Sequence, residues 1–333
     1  MSRHLLSLSA AASLLAGTAM AEVPRVAVDV APVHALVARV MDGVGEPSLI
    51  VQQGASPHEY RLRPSEAQAL QDADLVFWVG EGLTPWMEAS IETLADDAEV
   101  TELLEVDGTV LLEFREGALF EAHAHGDEDH ADGDDHDHED HADGDDHEPE
   151  DHADEHGHDH DHGAYDPHAW LSPDNAATWL NVIAAQLSAA DPENAGAYFT
   201  NAAAARADIA TLSSEVSGIL DPVRDGRFVV FHDAYQYFET AFDFPASGAI
   251  SVSDASDPSP ARIAEIQGRI ADENIQCVLS EPQFNHGLVA TVMDGADAKT
   301  SVLDPLGSDL EPGPDLYPLL LRNLASSLAD CLS

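Results

Sequence analysis

The chain has 333 residues, of which 63 are acidic and 13 are basic, and its formal net charge is −50 at pH 7. So acidic a surface repels nucleic acids and anionic lipids and attracts cations, which disfavours nucleic-acid binding or membrane-surface binding as the function. The length is sufficient for two domains, each with a core of its own.

The first 21 residues have the composition of a secretory signal peptide. Arg3 and His4 precede an apolar run over 5–16, and an Ala-x-Ala site ends at Ala21. The alternative, a membrane anchor, is disfavoured because the apolar run is too short to cross a bilayer. We therefore predict export to the periplasm, with cleavage of the signal peptide near Ala21.

Strand-like apolar runs then alternate with helix-like segments, which is typical of an α/β fold with a mostly parallel sheet. These elements belong to a predicted N-terminal lobe over 22–171. The predicted strands are 25–30, 47–51 and 75–79, and the predicted helices are 33–41, 64–72 and 85–95.

Residues 121–162 interrupt this lobe with a segment of low complexity. It contains 14 Asp, 6 Glu and 12 His, and no Lys or Arg. Because so polar a segment cannot fill a core, we predict a disordered, exposed His/Asp-rich loop. Many different combinations of its His, Asp and Glu side chains could bind a cation, but each requires the flexible chain to become ordered. Because that ordering costs entropy, we expect a low-affinity accessory site.

The second half begins with two predicted helices and continues as a second α/β set. Ser172 and Pro173 are typical of a helix start, and the predicted connecting helices occupy 172–221. The C-terminal lobe, 222–333, has predicted strands 227–231, 277–280 and 300–303 and predicted helices 235–242, 260–273 and 317–331. The predicted architecture is two lobes, each a mostly parallel sheet flanked by helices, joined by one long rigid helix.

The chain has two cysteines, Cys277 at the start of a predicted strand and Cys331 in the last predicted helix. In an exported protein an even pair of cysteines favours a disulfide bond. That bond would attach the last helix to the second sheet. Two buried free thiols are the alternative.

Polar side chains follow several of the predicted strands. His58 follows the second strand, His232 follows 227–231, Asp304 follows 300–303, and His168 precedes a helix. Ligands of open α/β sheets bind outside the carboxyl ends of the strands. Three neutral imidazoles suit Zn²⁺ and leave a fourth position for a carboxylate or water, so we predict a metal site in the interlobe cleft. His34 lies in an apolar helical run and is interpreted as a packing residue or a neighbour of the cleft.

The residues around these histidines carry a family resemblance. Ser-Pro-His-Glu-Tyr-Arg-Leu-Arg-Pro-Ser at 56–65, Asp-Pro-His-Ala-Trp-Leu-Ser-Pro at 166–173 and Phe-His-Asp-Ala-Tyr-Gln-Tyr-Phe at 231–238 resemble signature segments of the periplasmic zinc-binding proteins of ZnuABC-type ABC importers. Glu-Pro-Gln-Phe at 281–284 and Leu-Asp-Pro-Leu-Gly at 303–307 look like two further family segments. The resemblance covers nearly all of the mature chain, including the His/Asp-rich loop and the cysteine pair.

This resemblance implies a monomeric binding protein rather than an enzyme. Its cargo would be Zn²⁺, held by His58, His168 and His232. Its expected partners are a membrane permease with a cytoplasmic ATPase and a periplasmic zinc chaperone.

The fourth ligand is where this sequence departs from part of the family. Some members place a carboxylate directly before the first histidine, but Pro57 stands there in this chain. Glu59 follows His58, and adjacent side chains in an extended loop point apart. The fourth ligand is then Asp304 or water, and the alternative role of Asp304 is to cap the turn that it begins.

Three other functions are alternatives to zinc delivery. Manganese- or iron-binding relatives use a carboxylate where His232 stands, and Mn²⁺ prefers oxygen ligands, so three histidines favour zinc. A periplasmic zinc store built on the loop would not need an ordered three-histidine cleft. A zinc hydrolase would need a general base, and the sequence does not indicate one.

Overall fold

The computed structural model describes residues 23–115, 120, 165–251, 258–284 and 286–333. The predicted signal peptide and the predicted disorder of residues 121–162 therefore fall outside the described residues. Among the residues that are described, no helix has both the length and the apolar composition that a bilayer crossing would need.

The first sheet consists of four parallel strands in the order β2-β1-β3-β4. The central strands β1 and β3 are fully buried, as expected for parallel strands covered on both faces. The strands are β1 (Val26–Val28), β2 (Ser48–Leu49), β3 (Leu75–Trp78) and β4 (Glu99–Glu102), and the helices are α1 (Ala31–Val40), α2 (Pro64–Gln71) and α3 (Glu88–Leu94).

Two long helices follow the first sheet. In α4 (Pro173–Ala190) the Ser172 side chain accepts a hydrogen bond from the backbone N–H of Asn175, which caps the helix as predicted. The next helix, α5 (Ala195–Leu220), has 26 residues. It packs against α1 and α4.

The second sheet repeats the plan of the first, with four parallel strands in the order β6-β5-β7-β8. The last helix, α9, packs against α5 and α1, so that one apolar core extends from the first sheet to the second. The strands are β5 (Phe228–His232), β6 (Ala249–Ser251), β7 (Cys277–Ser280) and β8 (Lys299–Val302), and the helices are α6 (Gln236–Phe242), α7 (Pro260–Asp272), α8 (His286–Val292) and α9 (Leu316–Leu332).

The predicted fold class is confirmed: two parallel four-stranded sheets flanked by helices, with the long helix α5 in the middle. Two short strands, β4 and β6, were not predicted. The sequence of β4 is Glu-Val-Thr-Glu, which has no apolar run because it is a largely exposed edge strand. β5 extends one residue further than predicted, so that His232 is its last residue.

The predicted disulfide bond is present. Cys277, the first residue of β7, is bonded to Cys331 in α9 across a sequence separation of 54 residues. Both residues are buried. The bond therefore fixes the C-terminal helix to the second sheet.

Candidate metal centre

The three predicted histidines come together from three separate parts of the chain. His58 lies in the loop between β2 and α2, His168 lies directly before a 3₁₀ turn at Ala169–Leu171, and His232 ends β5. One ring nitrogen from each lies within 4.8 Å of the others. His168 and His232 are buried, and His58 is half-buried.

The spacing of the rings suits a tetrahedral ion. The Nε2 atoms of His168 and His232 lie 3.4 Å apart. Two nitrogens bound to one tetrahedral Zn²⁺ at 2.0–2.1 Å would be separated by about 3.3–3.4 Å. The two rings are thus already at the separation that a shared zinc ion requires.

Two buried carboxylates fix the orientation of two of the rings. Oδ1 of Asp166 lies 2.7 Å from Nδ1 of His168, and Oε1 of Glu281 lies 2.8 Å from Nδ1 of His232. Each carboxylate oxygen also accepts the backbone N–H of the same histidine, at 2.9 Å and 3.3 Å respectively. The neutral rings therefore carry their protons on Nδ1 and direct the lone pairs of Nε2 at each other, which is unfavourable without a cation between them.

The protonation of both carboxylates depends on their burial. Burial raises the pKa of Asp166 to about 6, against the lowering effect of the His168 backbone N–H and the charge of Arg115. Burial also raises the pKa of Glu281, while its contacts with His232 lower it. Both directions follow from the cost of a charge in a site with little water.

An apolar wall surrounds the histidines. Phe284 packs edge-on against His232 with ring centroids 5.4 Å apart, and Trp170 packs against His168 at 5.3 Å. The loop that carries the half-buried His58 is held from outside by Trp86, which follows β3 and whose Nε1 donates to the carbonyl of Pro57 at 2.7 Å. The wall limits the access of water, and of the three histidines His58 is the most exposed.

Asp304 occupies the turn after β8 but does not join the histidine group. Its Oδ1 accepts the backbone N–H of Leu306 at 3.0 Å and its Oδ2 accepts that of Ser308 at 2.5 Å. Gln283 Nε2 also donates to Oδ1, at 3.0 Å. These contacts correspond to the alternative role weighed for Asp304, that of capping a turn.

The structure places His34 in α1, away from the three ligand candidates. It is 7% exposed, and its Nε2 lies 3.0 Å from the carbonyl oxygen of Pro47. Sequence reasoning had not assigned a role to Asp166. The signal for it was a carboxylate two residues before a candidate ligand, where the side chain can reach back to the ring.

Described residues on either side of the His/Asp-rich segment pair with each other shortly before His168. Glu113 and Tyr165 form an isolated antiparallel bridge, and the backbone N–H of Asp166 donates to the carbonyl of Leu112 at 2.8 Å. The hydroxyl of Tyr237, from α6, donates to the Asp166 carbonyl at 2.9 Å. The pairing therefore involves Tyr165, three residues before the ligand candidate His168.

The half-buried Arg115 connects the same region to the second lobe. Arg115 Nε donates to both carboxylate oxygens of Asp233 at 3.0 Å, and its Nη1 donates to Glu239 at 2.8 Å. Its guanidinium carbon lies 3.4 Å above the ring centre of Phe120. Burial lowers the pKa of Arg115, but the two carboxylates raise it overall, so the group stays charged.

Comparison with known proteins shows the family to which the chain belongs. A family model described as the periplasmic component A of the zinc-uptake complex, ZnuA, matches residues 26–331. This chain belongs to the ZnuA family. A high-affinity zinc uptake system protein ZnuA of Brucella suis is 46% identical over 99% of each chain. A ZnuA protein of Paracoccus denitrificans is 45% identical over 98% of this chain and 97% of its own length.

Solved structures share the ZnuA fold. A crystal structure of ZnuA superposes with a TM-score of 0.71 at 20% identity, covering 94% of this chain and 100% of the other. A zinc-bound AdcAII variant of Streptococcus pneumoniae gives a TM-score of 0.70 at 21% identity, over 93% and 98% of the two chains. At these identities the likeness shows the fold alone.

Proposed function

We propose that this chain captures Zn²⁺ in the periplasm and delivers it to the membrane permease of an ABC importer that has a cytoplasmic ATPase. The observation that carries the proposal is the convergence of His58, His168 and His232, with two Nε2 atoms 3.4 Å apart. Membership in the ZnuA family gives the transport context. The alternative of a metal-storage protein does not account for an ordered site of this kind.

The proposed ligands of the bound Zn²⁺ are three imidazole nitrogens and one water molecule. Water is preferred over Asp304 because both oxygens of that carboxylate accept hydrogen bonds within the turn. Three neutral nitrogen ligands favour Zn²⁺ over Mn²⁺, which prefers oxygen ligands. The Asp166 and Glu281 carboxylates strengthen the binding of Zn²⁺ because they increase the basicity of the His168 and His232 rings.

The remaining parts of the proposal concern location and partners. Residues 1–21 act as a signal peptide that is cleaved near Ala21, and the protein works as a monomer. A periplasmic zinc chaperone can supply the ion. The lobes follow the sequence boundaries, with 22–171 and 222–333 joined by the helices of 172–221.

Competition with a chelator of known zinc affinity tests the proposal. His58→Ala, His168→Ala and His232→Ala should each lose the tight site, since each removes one of three protein ligands. His34→Gln is the matched control, because it replaces a buried histidine outside the cluster. Unchanged zinc affinity in His232→Ala would refute the assignment, and tighter binding of Mn²⁺ than of Zn²⁺ would favour the manganese alternative.

A further inference from the structure

Gln283 shares the metal cavity with the three histidines. It follows β7 in the Glu281-Pro282-Gln283 segment, and it lines the same cavity as His58, His168 and His232. Glu281 from this segment already orients His232. Gln283 is therefore the next polar side chain to consider at the site.

The orientation of its amide is fixed by chemistry. Nε2 donates to Oδ1 of Asp304 at 3.0 Å and to Oγ of Ser308 at 2.9 Å. An ionised carboxylate only accepts hydrogen bonds. If the amide were flipped, its oxygen Oε1 would face Oδ1 of Asp304, and two acceptors cannot form a hydrogen bond. Asp304 is itself held by two backbone N–H groups of the turn. The turn after β8 thus determines which atom of Gln283 is left for another contact.

That atom is Oε1, which is buried and has no hydrogen-bond donor among the described residues. A buried acceptor without a donor is costly, and such atoms are uncommon in native proteins. The cavity has a volume of about 10 Å³, which is at the lower limit for one water molecule. A donor bound within the cavity would satisfy Oε1.

We propose that Gln283 is a positioning residue for the bound cargo: its Oε1 accepts a hydrogen bond from the water molecule that completes the zinc shell. This inference rests on the proposed function. Water bound to Zn²⁺ is a stronger donor than free water, because the metal withdraws electron density from its oxygen. In this arrangement Asp304 acts on the ion through Gln283 and the water.

The arrangement also favours water over anions at the fourth position. An anion such as azide has no proton to donate, so its binding would displace the water and leave Oε1 without a partner. Removal of Oε1 should therefore weaken zinc binding and strengthen azide binding to the loaded site. Removal of a side chain that only fills space in the cavity would not produce weaker zinc binding together with stronger azide binding.

The test compares the full-length wild type with Gln283→Leu and with Ser308→Ala. The serine variant is the matched control, because it removes one contact of Nε2 and leaves Oε1 in place. Chelator competition gives the zinc affinity, and the visible absorption of the Co²⁺-loaded proteins gives the coordination geometry and an azide titration. Circular dichroism establishes that each variant is folded.

We expect Gln283→Leu to bind Zn²⁺ at least about tenfold more weakly, which is the usual effect of one hydrogen bond to a charged group. Its Co²⁺ spectrum should stay tetrahedral, and azide should bind at a lower concentration than in the wild type. Ser308→Ala should resemble the wild type. Equal zinc affinity in the wild type and Gln283→Leu would overturn the role of Gln283 but not the proposed function. A changed coordination number of Co²⁺ in Gln283→Leu would also overturn it, because the amide would then be a direct ligand. A wild type without a tight site would instead overturn the proposed function.

Discussion

Nη1 of Arg115 donates a 2.8 Å hydrogen bond to Oε2 of Glu239, between residues that are 124 positions apart in the sequence. The same guanidinium contacts Asp233, which directly follows His232. One cation from the first lobe thus neutralises two buried carboxylates of the second lobe. Its removal would leave two buried negative charges without compensation.

Arg115→Met should therefore lower the free energy of unfolding by about 3–5 kcal/mol, the cost of breaking a buried ion pair from one side. Urea denaturation measures this loss. The triple variant that adds Asp233→Asn and Glu239→Gln removes the three charges together and should recover much of the stability. Equal losses in the single and triple variants would show that packing, and not charge, accounts for the effect.

Asp166→Ala should weaken zinc binding by about 10–100-fold, the usual consequence of removing the carboxylate that orients a ligating histidine. Asp166→Asn should have a smaller effect, because its amide oxygen can still accept the Nδ1–H of His168. Chelator competition at pH 7.5 compares the two variants. If both bind like the wild type, the orientation of His168 does not depend on this contact.

Replacement of Cys277 and Cys331 by alanine should destabilise the protein by about 4 kcal/mol, as the chain-entropy model gives for a loop of 54 residues. The reason is that the bond restricts the unfolded chain. Denaturation of the wild type with and without a reducing agent is the control and should show the same difference. An unchanged midpoint in the double variant would contradict this account.

His34 should make stability depend on pH. Burial lowers the pKa of His34 below its ordinary value of 6.5, so the folded protein holds this ring neutral. As pH falls below about 6.5, the unfolded chain takes up the proton first, and the free energy of unfolding decreases by at most about 1.4 kcal/mol per pH unit. The contribution of His34 to stability is fully present above about pH 6.5, and it is lost as the pH falls towards the lower pKa of His34 in the folded protein.

The matched variant is His34→Gln, which keeps an N–H donor for the Pro47 carbonyl but does not titrate. The stability advantage of the wild type over this variant should be larger at pH 7.5 than at pH 5.5. Parallel stability curves for the two proteins would show that His34 does not contribute to the acid sensitivity.

Deletion of residues 121–162 should lower the number of zinc ions bound while one tight site remains. The bridge between Glu113 and Tyr165 pairs the chain on either side of the deleted segment, so a short Gly-Ser linker should preserve the fold. Calorimetric titration gives both the stoichiometry and the affinity. Loss of the tight site would favour the zinc-store alternative over the three-histidine cleft.

The apolar runs of the sequence predicted the central strands because those strands are buried on both faces. Edge strands such as β4 depend on pairing with a neighbour, which a local pattern does not contain. The strand ends likewise predicted that His58 and His232 would converge. The orientation of Asp304 towards Gln283 could not be predicted, because it depends on the path of the turn after β8 in three dimensions.

The shared core around α5 determines how the ion can leave. The 26 residues of α5 span about 39 Å as a continuous helix, and they pack with α1, α4 and α9 under both sheets. A wide opening of the lobes would expose this core to water, at a large cost in free energy. Exchange of cargo is therefore expected to proceed through local movement of the loop that carries the half-buried His58, and a docking permease would need to displace only that loop to collect the ion.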